Sequence, residues 1–238
     1  MVDYDNVEPR HKAAGPVALG RVLAAAVPED VLTRHTAILV RLYGGWRERG
    51  NLTPSAQRLI PDIRSGSPCI VQLEHSGAFH PFRLTTELAD GPLGSSISLE
   101  ETLVRERGLR KFRARSGALP TCASQSSCGM NPYLRVTQAT ACSVAGCGST
   151  LGDVLVRDEQ KMVDTLLVAD IAVHTFTTGA SDLVVVSSDI DMWPGVLLAV
   201  QAGCHVTHIH TKSGWRTQSH LMRTLNHSNG RAYRQLTV

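Results

Sequence analysis

Leu183-Val184-Val185-Val186-Ser187-Ser188-Asp189-Ile190-Asp191 is a β-branched apolar run that stops abruptly at two acids one residue apart. It is short for a helix and reads as a buried strand with carboxylates at its carboxyl end. Ligands of open α/β sheets bind just beyond that end, so Asp189 and Asp191 stand where a catalytic metal would sit. Working outward, a helix is predicted at about 192 to 202, and Cys204 to Ile209 forms a further strand after Gly203. Residues 160 to 178 have helical character, with Met162, Leu166, Val173 and Phe176 available for a buried stripe. Ala37-Ile38-Leu39-Val40-Arg41-Leu42-Tyr43 predicts a strand ending at Gly44-Gly45, preceded by a helix over 16 to 27 between Gly15-Pro16 and Pro28. Cys69 to Leu73 is another strand, closed off upstream by Pro68. Phe82 to Leu88 alternates apolar and polar and reads as an exposed strand paired to it. Strands alternating with helices imply a mostly parallel sheet covered on both faces.

Composition agrees with this class. The chain has 238 residues, enough for one substantial core, and its 42% hydrophobic and 5% aromatic content suits a globular α/β protein rather than a disordered one. No apolar run approaches the ~18 residues that span a bilayer, and no basic-then-apolar leader opens the sequence, so a cytoplasmic location is expected. Six cysteines in that setting favour metal ligation or free thiols over disulfides. Four of them, Cys122, Cys128, Cys142 and Cys147, fall in a Ser-, Gly- and Thr-rich stretch of about 117 to 152 with few large apolar residues. Two close pairs of thiolates suit a structural zinc site, which would stand in for the missing core. Cys69 and Cys204 sit inside apolar runs and read as packed residues.

The net charge of +3 says little, but its distribution says more. Arg105, Arg107, Arg110, Lys111, Arg113 and Arg115 crowd one short segment, and no acid follows Asp191, whereas Lys212, Arg216, Arg223, Arg231 and Arg234 do. A solvated basic face is one reading; a surface for a polyanion such as RNA is the other. His208 and His210 share a strand face while His205 points away, a pattern of satisfied or nucleic-acid-facing histidines rather than a ligand set.

Other acids recur where the chain turns from strand to helix. Asp3 and Asp5 lie in Met1-Val2-Asp3-Tyr4-Asp5-Asn6-Val7, and Asp164 in Lys161-Met162-Val163-Asp164. Grouped carboxylates suit hard Mg2+ or Mn2+, and such ions promote in-line phosphodiester hydrolysis.

These motifs carry a resemblance. Val2-Asp3-Tyr4-Asp5-Asn6, the Lys161-x-x-Asp164 helix, Ser187-Ser188-Asp189-Ile190-Asp191-Met192 and Ala202-Gly203-Cys204-His205-Val206 together resemble the ordered motifs of NYN-domain proteins in the PIN-like nuclease superfamily. The resemblance spans nearly the whole chain. It implies one domain over 1–238, a Rossmann-like three-layer α/β/α sandwich with a mostly parallel central sheet, and 117–152 as a Cys-rich, zinc-ribbon-like insertion. It also implies a metal-dependent endoribonuclease in which Asp3, Asp164, Asp189 and Asp191 hold Mg2+ or Mn2+ or orient the attacking water, with Asn6 assisting. Asp5 stands at a variable position of that motif, and Asp170 lies on a different helix face from Asp164. The pattern departs from the family at its start, because only Met1 and Val2 precede Asp3.

Two other readings stay open. Asp3-Tyr4-Asp5-Asn6-Val7 also fits the nucleophile motif of haloacid-dehalogenase-type phosphatases, with Asp3 as nucleophile and Asp5 as general acid. A non-catalytic nucleic-acid-binding module would use the zinc element and the basic segments alone.

Overall fold

Val2 and Asp3 form the shortest strand of the main sheet and its middle one. In a computed structural model that describes residues 1–75, 77–107, 146, 156–160, 162–177, 182–226 and 232–238, the chain runs β1 (Val2–Asp3), α1 (Pro9–Lys12), α2 (Pro16–Ala26), α3 (Glu29–Leu32), β2 (Ala37–Tyr43), β3 (Arg47–Glu48), β4 (Asn51–Leu52), α4 (Pro54–Gly66), β5 (Cys69–His75) and β6 (Ala78–Leu88). It continues through β7 (Leu103–Arg107), β8 (Val156–Gln160), α5 (Val163–Thr177), β9 (Asp182–Val186), α6 (Trp193–Gln201), β10 (His205–His210), α7 (Ser219–Asn226) and β11 (Tyr233–Thr237). Two compact units result. One comprises Met1–Leu103 with Gln160–Val238, and the other Val104–Glu159. The cysteine-rich segment lies almost wholly outside the described residues.

The first unit is an α/β structure with a seven-stranded sheet in the order β11-β10-β9-β1-β2-β6-β5. Every neighbouring pair is parallel except β5 with β6, so the mostly parallel sheet is as expected and compatible with a Rossmann-like fold. β7 and β8 form a separate two-stranded sheet, and β3 and β4 a small antiparallel ribbon.

Alternation along the strands divides the core in two. Val40 and Leu42 of β2 and Val186 of β9 pack with Leu19, Leu23, Val31 and Leu32 of α2 and α3. Tyr43, Leu183 and Val185 join Leu167 and Ile171 of α5 and Val196 and Ala199 of α6. Pro16, Pro54 and Pro194 occupy first helical turns, where a missing N–H costs nothing. Thr53 caps α4 by accepting from the Ala56 amide at 3.3 Å.

The alternation over Phe82–Leu88 is present, with Phe82, Leu84 and Thr86 buried and Arg83 exposed, and the strand pairs with β5 as expected. The sequence did not show its second partner: β2 pairs with it on the other side from Arg83 to Leu88, which places β6 inside the sheet order. One local expectation needs correcting. The helix expected over 160 to 178 begins at Val163, because 156–160 belongs to β8.

One buried polar network ties α5 to β2. Asp170, wholly buried, accepts from Arg41 Nε at 2.9 Å, Tyr43 Oη at 2.8 Å and the Leu93 amide at 2.7 Å. Arg41 also reaches Glu87 and the Gly91 carbonyl.

Candidate active site

From β1 the chain steps to β2 and then β6 on one side, while β9, β10 and β11 step away on the other. The order therefore reverses between β1 and β9. In an open parallel sheet that reversal leaves a crevice at the carboxyl ends of the two strands. Asp3 ends β1 there, and the Ser187–Asp191 turn follows β9.

Asp3 is buried, 2% exposed, and its Oδ2 accepts from Asn6 Nδ2 at 2.6 Å and Ser187 Oγ at 2.7 Å. Ser187 Oγ in turn accepts from the Asp189 amide at 2.9 Å. Asp189 Oδ1 then accepts from the amides of Ile190 at 2.6 Å and Asp191 at 3.2 Å, an Asx turn that fixes both acids relative to β9. Behind the turn, His208 Nε2 lies 2.9 Å from the Ser187 carbonyl, and its Nδ1 lies 2.8 Å from Tyr233 Oη. An Nε2–H donated to that carbonyl leaves Nδ1 to accept from the phenol, so the ring braces the turn as neutral imidazole. Burial, with His210 stacked 4.3 Å away, pushes its pKa down to about 4. His208 and His210 are both buried with their rings in contact on one strand face, as expected, while His205 is exposed.

Asp164 stands in the first turn of α5, where the helix dipole favours an anion. Its pKa is nevertheless pushed up to about 6, first by partial burial and then by the negative charges of Asp3, Asp189 and Asp191. Those four acids therefore share one field. In the metal-free protein the Asp164 carboxylate is expected to titrate near pH 6 by carbon-13 NMR, and Asp189→Asn is expected to lower that midpoint. An unchanged midpoint would show that the acids are not coupled. The sign for stability follows from the raised value: the Asp164 contribution favours the fold below about pH 4 and is lost as pH rises through about 6.

Asp5 takes a different role. Its carboxylate accepts from the Gly45 amide at 3.1 Å and from the Gln160 amide group, anchoring the loop after β2. Burial raises its pKa. Asn6 sits beside Asp3, and its carbonyl accepts from Thr211 Oγ1 at 3.3 Å. That bond brings the loop after β10 to the same edge, with the Lys212 ammonium 4.7 Å above the Trp215 ring and Arg216 exposed. Lys12, which sequence reasoning missed, donates to the Asp5 carbonyl at 3.1 Å and covers the Tyr4 ring at 4.8 Å. Desolvation lowers its pKa, opposed by Asp5 and Asp3, so it too stands near the acids. The first serine of the Ser-Ser-Asp pattern could have pointed to the Asp3–Ser187 bond. Nothing local distinguished Lys12 from a solvated lysine.

Arg105 and Arg107 lie on β7. Arg110, Lys111, Arg113, Arg115, Cys122, Cys128, Cys142 and Cys147 lie outside the described residues. Cys204 is buried and Cys69 half-buried against the core, as expected.

The donor chemistry of Asp3, Asp164, Asp189 and Asp191 suits a hard divalent cation, which would relieve their mutual repulsion. Among the described residues, no three His, Cys, Asp or Glu side chains are already arranged to hold a metal ion. Asp164 and Asp189 are half-buried and Asp191 is exposed, so Asp3 is the buried member of the four. No protein-family model, curated protein or solved structure matches the chain. Among the described residues, no helix is long and apolar enough to cross a membrane.

Proposed function

We propose that the chain is a metal-dependent endoribonuclease of the NYN type in the PIN-like superfamily. In this reading the fold is a Rossmann-like α/β/α sandwich, and the cysteines of 117–152 bind structural Zn2+. One observation carries the proposal: at the switch point of the parallel sheet, Asp3 accepts from Ser187, the first residue of the turn that carries Asp189 and Asp191. Asp3, Asp164, Asp189 and Asp191 would hold Mg2+ or Mn2+. The bound ion would lower the pKa of a water and offset charge on the phosphoryl oxygens. Asn6 and Ser187 hold Asp3 through Oδ2, which leaves Oδ1 as ligand or as acceptor of the water's proton. The Asx turn sets the separation of Asp189 from Asp191. Lys12 at the end of α1, with Lys212 and Arg216 on the loop after β10, supply cations for the RNA phosphates.

The haloacid-dehalogenase reading is weaker, because it requires Asp5 as general acid. The Asp5 carboxylate is instead engaged by the Gly45 amide and Gln160.

The test is cleavage of single-stranded RNA by the purified chain in Mg2+ or Mn2+, with Asp189→Asn alongside. The asparagine Oδ1 can still accept from both turn amides, so the fold should persist while cleavage disappears. Full-rate cleavage by Asp189→Asn protein would defeat the proposal. RNA binding that weakens steeply with salt, without turnover in any divalent ion, would assign the chain to the non-catalytic binders.

A further inference from the structure

The middle of the main sheet contains a gap. β1 pairs with β2 only at Leu42 and Tyr43, and with β9 at Val186. Below those positions β2 continues back to Ala37 and β9 back to Asp182, each paired on its outer side, to β6 and to β10. No strand lies between them among the described residues. In its place is a cavity of about 310 Å³. Ala24, Val27 and Leu32 line it on one side of the sheet, and Leu93 and His174 on the other, so it passes through the sheet plane.

Its walls are those of a strand's seat. The Tyr43 carbonyl accepts from Tyr4 on the β1 side of β2, while the Leu42 carbonyl accepts from Ala89 on the β6 side. Ladder alternation therefore aims the Leu39 backbone into the gap. On β9 the Val184 carbonyl accepts from the Met1 nitrogen at 2.8 Å, and the Val186 amide donates to the Met1 carbonyl. The Val184 N–H thus also faces the gap. An extended backbone is the ligand that meets donors and acceptors along two parallel edges at once.

Met1 marks the entry. Its nitrogen already makes a sheet-ladder bond, yet it is an amine in a buried place beside the Arg41 guanidinium, and its pKa is pushed down to about 5, burial contributing most. An amide there would make the same bond without a charge to desolvate. Reading back from Val2 opposite Leu42 puts Met1 opposite Arg41, and four preceding residues opposite Val40, Leu39, Ile38 and Ala37.

We propose that the gap seats an extended apolar segment of four residues, joined to Met1 through a peptide bond and running parallel to β2 and β9. At ~3.3 Å per residue it would extend β1 by about 13 Å. The lining is mainly apolar on both faces, with His35, Arg41, His174 and Asp182 as its polar members, so the segment is apolar at successive positions, as in other strands buried on both sides. The completed strand runs directly into Asp3 and holds the central carboxylate of the candidate site from behind. The proposal stands independently of the nuclease reading.

The experiment compares the 238-residue chain with two extended forms, carrying Ile-Val-Ile-Val or Gly-Ser-Gly-Ser immediately before Met1. The apolar extension is expected to raise Tm by at least roughly 5 °C, and to slow exchange of the Leu39 and Val184 amides more than tenfold; the Gly-Ser form should do neither. Equal behaviour of the two extended forms would overturn the proposal. Protection conferred equally by a free Ile-Val-Ile-Val peptide would assign the gap to a separate partner. Protection in the unextended chain that grows with protein concentration would assign it to a second copy. Either result also overturns it.

Discussion

Asp3→Asn protein is expected to fold with a near-native Tm and to cleave RNA more than about 100-fold more slowly than the parent, because even partners of metal ligands are each worth about 10–100-fold. The expectation rests on how Asp3 is held. Asn6 Nδ2 and Ser187 Oγ both donate to Oδ2, and an asparagine carbonyl oxygen placed there accepts both bonds. The substitution therefore removes charge while keeping shape. What disappears is the only buried member of the four-acid group, and with it part of the field that raises Asp164. Two readouts should move together: the cleavage rate falls, and the Asp164 midpoint drops from about 6 toward the ordinary carboxylate range. Cleavage within threefold of the parent in a folded Asp3→Asn protein would remove Asp3 from the chemistry. A fall in rate matched by loss of folded protein would show a structural role instead, and circular dichroism at the assay temperature separates the two.

The strand tipped by Asp189 was legible because its chemistry is local. Four consecutive β-branched or aliphatic residues followed by Ser-Ser-Asp require neither register nor partner to be read. Asp164 was legible for a similar reason, as an acid in the first turn of a long apolar helix. Their convergence depends on strand order, and order is set by crossovers that leave no local pattern. β6 shows the limit well. Its alternation reports one solvated face, which the strand has, but says nothing of its neighbours, and β2 pairs with it over six positions and places it inside the sheet order. β1 is the harder case. Two residues carry no periodicity, and only their pairing with Leu42, Tyr43 and Val186 makes them the central strand. Lys12 gave no signal because its place near Asp3 depends on the way α1 folds back from the Asp5–Asn6 turn.

Asp170 offers the largest expected effect on stability, and it separates scaffold from chemistry. Its helix face sets it apart from Asp164, and the structure supplies its actual employment. It is a buried acceptor for Arg41, Tyr43 and the Leu93 amide at once. Asp170→Ala leaves Arg41, a residue only 8% exposed, without its buried partner and strands the other two donors. The expected cost is about 3–5 kcal/mol, the range for breaking one side of a buried ion pair. Glu87 bonds the same guanidinium, but its side chain is 40% exposed, so Glu87→Ala should cost less than about 1 kcal/mol. Urea denaturation of the two variants checks the contrast, and equal losses would mean that burial of the Asp170 network contributes nothing special. Replacing the pair together, as Arg41→Met with Asp170→Leu, should recover part of the loss, since no unpaired charge then remains inside. Recovery stays incomplete because the Tyr43 hydroxyl and the Leu93 amide still need acceptors. Asp170 sits on α5 six residues beyond Asp164, so its bonds to β2 hold the helix that carries the candidate ligand. At a temperature where Asp170→Ala protein remains folded, RNA cleavage should persist with a shifted metal requirement, whereas Asp3→Asn protein stays folded and inactive.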